Sequence, residues 1–72
     1  MDPDMALRLA CEALRAFRNA DDKLENPDLS IPAQARLMRL RNEAAAKLAE
    51  HFEALDGWLT NGGFLPKLWE RA

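Results

Sequence analysis

One hard break divides this chain. Asn26-Pro27-Asp28-Leu29-Ser30 falls between two long stretches of helical periodicity, and Pro27 both lacks a backbone N–H and pushes Asn26 out of helical geometry. Tyr and Val are absent, Ile31 is the only isoleucine and alanine is abundant, a composition that favours helix and disfavours sheet. The chain therefore reads as all-α: two helices whose short connection folds them into an antiparallel hairpin.

The first helix is predicted over about residues 3–25. Asp2 is the N-cap and Pro3 the first helical residue, where proline's missing donor costs nothing and nearby acids face the positive end of the dipole. Ala6, Leu7, Ala10, Ala13, Leu14, Phe17, Ala20 and Leu24 fall on one broad face, opposite Arg8, Glu12, Arg15, Asp22 and Lys23. The second helix is predicted over about residues 31–60, with Ser30 as cap and Pro32 in the first turn. Its apolar stripe is Leu37, Leu40, Ala44, Leu48, His51, Phe52, Leu55, Trp58 and Leu59. At the helical rise the first helix is about 33 Å long and the second roughly 40 Å, so the final turns of the second, with Trp58 and Leu59, are expected to overhang the first. Gly62 and Gly63 stop the second helix as a left-handed C-cap and begin a tail over residues 62–72, whose Phe64, Leu65, Leu68 and Trp69 are placed to fold back over that end.

Seventy-two residues make one domain at most, and a chain this short buries little surface without a staple, a metal or a second chain. Cys11 is the only cysteine, which excludes an internal disulfide and suits a reducing compartment. The acidic start Met1-Asp2-Pro3-Asp4 and the lack of a long apolar run argue against an export signal or membrane span, so a cytoplasmic location is expected. Two amphipathic helices cover only one side of each other and both stripes are wide. Self-association is expected, most simply as a twofold dimer forming a four-helix bundle.

Candidate chemistry is sparse. His51, the only histidine, has Lys47 and Leu48 before it and Ala54 and Leu55 after it at helical spacing, so the Glu-x-x-His and His-Glu-x-x-His patterns of helical metal sites are absent. It reads as a histidine packed at the edge of the core or at a helix interface, and Cys11 as a small apolar residue without an activating neighbour. No Gly-rich loop follows a strand and the carboxylates follow salt-bridge spacing instead of converging, so neither catalysis, cofactor nor metal is expected. Asp21 lies within the apolar face of the first helix at a level that brings it near Arg41, a pairing that would fix register more than add stability.

Arg36, Arg39 and Arg41, with Arg18 nearby, are the candidates for an alternative function as a small nucleic-acid-binding protein. The helical wheel separates them, however, and Arg36 and Arg39 share a face with Glu43, Lys47 and Glu50 in a ladder of alternating charge. With a formal net charge of -2 there is no general field to collect nucleic acid, and this partner is disfavoured.

The tail region carries the remaining signal. Both tryptophans and one of three phenylalanines lie there, and Trp58, Leu59, Phe64, Leu65, Leu68 and Trp69 have the composition of a protein-docking surface, with Pro66 limiting the entropy lost on binding. The competing reading is that the same residues cap the chain's own core or that of a symmetry mate. The segment Phe52-x-x-Leu55-Asp56-x-Trp58-Leu59-x-x-Gly62-Gly63-Phe64-Leu65-Pro66-x-x-Trp69, with the Arg- and Ala-rich composition, resembles the C-terminal signature of short uncharacterised proteins of high-GC actinobacteria and their phages. That resemblance covers about a quarter of the chain and implies a small cytosolic protein without an assigned reaction. The expected function is a non-enzymatic interaction or assembly module, self-associating and acting on a protein partner.

Overall fold

A computed structural model of the chain describes residues 2–70; Met1 and the last two residues of the tail, Arg71 and Ala72, lie outside the described part. The described residues form helix α1 (Pro3–Leu24), helix α2 (Ile31–Thr60) and a single 3₁₀ turn (Lys67–Trp69), with no strand. The two helices pack as an antiparallel hairpin measuring 48 × 23 × 14 Å. Its thinnest dimension is little more than the width of one helix, about 10–12 Å with side chains, so the molecule is a slab one helix thick.

Local chemistry accounts for each helix boundary. The Asp2 carboxylate accepts the N–H groups of Asp4 and Met5, satisfying two donors at the start of α1, and Pro3 occupies the first helical position. α1 ends at Leu24, one residue short of the expected limit, and Asn26 accepts the Asp28 N–H in a local turn. Ser30 Oγ accepts the Ala33 N–H to open α2. α2 ends in a Schellman motif: Gly62 takes φ +86°, the Gly63 N–H donates to the Trp58 carbonyl at 2.9 Å, and the Gly62 N–H to that of Leu59 at 3.1 Å. An L side chain at Gly62 would be strained there.

The core is small and rich in alanine. Ala6, Leu7, Ala10, Ala13, Ala20, Ala44 and Leu55 are its buried apolar residues, and five of these seven are alanine. Small side chains let the helices approach closely, but each removes little apolar area from water. The wide stripe on α2 is consequently buried only along its centre line. Leu40 remains exposed on one side of it and Phe52 on the other.

Two contacts fix the register. Arg41 Nη1 donates to Asp21 Oδ1 at 3.0 Å, forming the pair expected from the sequence, and Leu55 packs against Ala6 and Leu7 near the other end. The end of α1 is therefore level with about Met38, and residues 31–37 of α2 run on for about two turns with no helix opposite. This corrects the expectation that Trp58 and Leu59 overhang: the unmatched length is at the start of α2. Burial of Leu55 and partial burial of Leu59 beside the first turns of α1 draw that end level, and the surplus appears at Ile31, which is 81% exposed.

Candidate functional site

The end where α1 begins and α2 stops is closed by the tail. Past Gly63 the chain turns back over Trp58, whose indole Nε1–H donates to the Phe64 carbonyl at 2.9 Å. The Phe64 ring meets the Trp58 ring edge-on, with centroids 5.3 Å apart and planes at 90°, an arrangement that complements their quadrupoles. Gly63 passes so close to the indole that an added Cβ would overlap Trp58 Nε1 and Cε2. Pro66 is fully buried, as is Pro3, and the Lys67 N–H donates to Asp4 Oδ1 at 2.6 Å across the whole length of the sequence. Asp4 thus serves the first turn of α1 and the first residue of the 3₁₀ turn together.

This arrangement distributes the six residues expected to form a docking surface. Trp58 is half-buried beneath the tail, and Leu59 is half-buried with one side packed against the core. Phe64, Leu65, Leu68 and Trp69 are exposed. Leu68 borders a shallow depression on the outer side of α1 with Met5, Arg8 and Arg15, whereas Trp69 borders an apolar groove between the helices with Leu7, Leu14, Phe52 and Leu59. Cys11 lines both, so Leu68 and Trp69 flank it on opposite sides. The tail is both a cap and a carrier of exposed apolar side chains.

The two broad sides of the slab differ. One carries the apolar groove from Trp69 and Leu59 past Leu14 and Leu48 to Phe17, with Phe52 and Ala45 along its rim. The other is a mixed channel in which Leu9, Leu37 and Leu40 alternate with Glu12, Lys23, Glu43, Lys47 and Glu50. His51 sits half-buried at the edge of that mixed channel. Among the described residues no group of three or more His, Cys, Asp or Glu side chains is placed to hold a metal ion.

The candidate arginines are spread out. Arg41 is engaged by Asp21, Arg18 is exposed on α1, and Arg36 and Arg39 are exposed on α2, Arg36 within its overhanging turns. The Arg36, Arg39, Glu43, Lys47 and Glu50 ladder forms no ion pair; Arg41–Asp21 is the one ion pair among the described residues. Exposed pairs at helical spacing gain too little over solvation to hold their side chains in one geometry. No helix among the described residues is long and apolar enough to cross a membrane.

The stripe predicted on α2 contains Phe52 and Leu59 but not Ile31, Met38 or Ala45, which lie on one line with them. Ile31, Met38, Ala45, Phe52 and Leu59 recur every seventh residue, beside the line that packs on α1, and Ile31, Met38 and Phe52 are among the exposed large hydrophobic residues. The signal was available as a heptad period, but it was hidden by a stripe wide enough to be read as one face. Compared with family models, curated proteins and solved structures, the chain finds no match. Its function is argued from its own residues.

Proposed function

We propose that this chain is a non-enzymatic assembly module that self-associates as a dimeric four-helix bundle and presents its C-terminal end to a protein partner. One observation carries the reading: among the described residues nine large apolar side chains lie exposed, while the buried apolar core consists of five alanines and two leucines. A slab one helix thick cannot cover both sides of its own helices, and burial of apolar area is the main favourable term in folding and association. A second hairpin laid against the apolar side supplies the missing layer at no cost in new sequence.

Phe64, Leu65, Leu68 and Trp69 are held in place by the Trp58 and Asp4 hydrogen bonds, so docking there would order little additional chain. The test is sedimentation velocity from low to high micromolar concentration, read beside circular dichroism. The expected result is a folded dimer that dissociates on dilution, and a folded monomer across the whole range rejects self-association. Leu68→Gln, at a side chain 68% exposed, should leave both readouts unchanged and weaken capture of a partner protein. Undiminished capture would remove the tail from the docking surface.

A further inference from the structure

We infer that the surface through which this chain assembles is the heptad line Ile31, Met38, Ala45, Phe52 and Leu59, and that its occupant is the same line of a second copy, antiparallel, with the twofold axis at Ala45. The inference rests on the self-association proposed above and specifies its seam and register.

The first argument is area. The chain exposes 5575 Å². Folded monomers of 8.1 kDa expose about 4,500 Å², so this one carries about 1,100 Å² more than its mass warrants. A standard interface buries about 800 Å² on each partner. One interface of ordinary size removes most of the surplus.

The second argument is self-complementarity. A twofold contact must match a surface to itself, so residues on either side of the axis exchange partners. Ala45 lies at the middle of α2, and an axis there lets the two helices overlap along their full length. Phe52 then meets Met38 of the second copy, Leu59 meets its Ile31, and Ala45 meets its own mate. With Ala49 beside it, Ala45 lets the backbones approach closely at the crossing. The seven-residue period drifts by about 20° per repeat against a straight helix, so the line stays on one contact only if the pair coils left-handedly, as four-helix bundles do.

Charge and length agree. In this register Glu53 comes within about one turn of Arg39 of the second copy, on the same flank of the seam, placing an acid beside a base at both symmetric positions. The overhanging turns of α2, which have no α1 opposite, are carried to the closed end of the other copy. There Ile31, 81% exposed, comes beside Leu59 and the half-exposed Trp69. The unequal helix lengths thus become reciprocal cover.

Disulfide trapping tests the register. With Cys11→Ala removing the native thiol, Ala45→Cys should oxidise to a covalent dimer, since a disulfide requires Cα atoms within about 7 Å. Phe52→Cys alone should trap at least about tenfold less, because the mates would be about 21 Å apart along the seam, whereas Phe52→Cys mixed with Met38→Cys should trap a heterodimer. A chain that sediments as a dimer while Ala45→Cys traps no more than Phe52→Cys overturns this seam and leaves self-association standing. A chain that stays monomeric at every concentration overturns both. Circular dichroism on each cysteine variant identifies any that fails to fold. If Ala45→Cys is one, the Phe52→Cys with Met38→Cys mixture carries the test, with heterodimer trapping above that of Phe52→Cys alone expected and its absence in a dimer overturning the seam.

Discussion

The two ends of the hairpin are built on different principles. At the closed end one hydrogen bond ties the tail to the start of α1, Lys67 donating to Asp4 63 residues away, while the Trp58 indole donates to Phe64 within the turn and Pro3 and Pro66 are both buried. At the open end every polar contact of the connection is local, through Asn26 to Asp28, Ser30 to Ala33 and Gln34 to Leu29. There α2 runs free for two turns, and the nearest link across the helices is the half-exposed Arg41–Asp21 pair. The closed end is a finished piece of tertiary structure. The open end leaves the first turns of α2 without a helix opposite, and under the proposed dimer substitutions at the two ends should separate accordingly.

The largest effect is expected from truncation after Gly62. It removes the buried Pro66, the partner of Asp4 and the cover over Trp58. Burial of a side chain of this size is worth about 1.5–3 kcal/mol and each hydrogen bond about 1 kcal/mol. A loss of about 3 kcal/mol or more would be most of the stability of so small a domain. Urea unfolding followed by circular dichroism should show the midpoint collapse; an unchanged midpoint would make the closed end as dispensable as the open one.

Gly63→Ala comes next and sharpens the reason. Its Cβ would overlap the Trp58 ring, so the indole must leave and with it the bond to Phe64, a loss of about 2–3 kcal/mol accompanied by a red shift of tryptophan emission. Gly62→Ala meets no neighbour and suffers only from its positive φ, at about 1 kcal/mol with little change in emission. Equal losses from the two glycines would mean that backbone conformation, not contact with Trp58, governs the turn.

These elements also mark how far the sequence could be read. Asp2, Ser30, Pro3 and the two glycines act within one turn of themselves, so the helix limits and the C-cap follow from local chemistry. The Asp21–Arg41 pair was legible because an antiparallel hairpin leaves few levels at which two groups on facing stripes can meet. What decides the overhang is which turns of α1 receive Leu55 and Leu59, a long-range packing choice that helix lengths do not contain. For the same reason Asp4 read only as a charge near a helix start, and nothing in its neighbourhood announces Lys67 as a partner. The aromatic clustering of the tail was legible as a composition, whereas the division of Leu68 and Trp69 to opposite sides of Cys11 depends on how the 3₁₀ turn seats.

At the open end, Ile31→Gln should leave the monomer's stability within about 0.5 kcal/mol, because its side chain is already in water. In the dimer the same change removes an apolar contact twice, once for each symmetric copy, and dissociation should occur at a concentration about tenfold higher. The two readouts part only if the open end is an interface. An equal loss at all concentrations would place Ile31 in the folding of the single chain and erase the contrast between the ends.

The smallest effect is expected from Asp21→Asn. The pair joins side chains 30% and 48% exposed, so solvent screens it and its contribution should stay below about 1 kcal/mol. Its importance lies in direction. Among the described residues the buried core is five alanines and two leucines, and toward the open end it is alanine alone, whose faces slide past one another with little change in packing, so there the pair adds to Leu55 in holding the register. Asp21→Asn should therefore lower the melting temperature slightly while broadening amide signals along α1 and the first half of α2, as alternative registers exchange. The charge-reversed double variant, Asp21→Arg with Arg41→Asp, should restore both. A loss well above 1 kcal/mol would make the open end depend on its ion pair as the closed end depends on its hydrogen bonds, and sharp amide signals in the single variant would show that apolar packing alone sets the register.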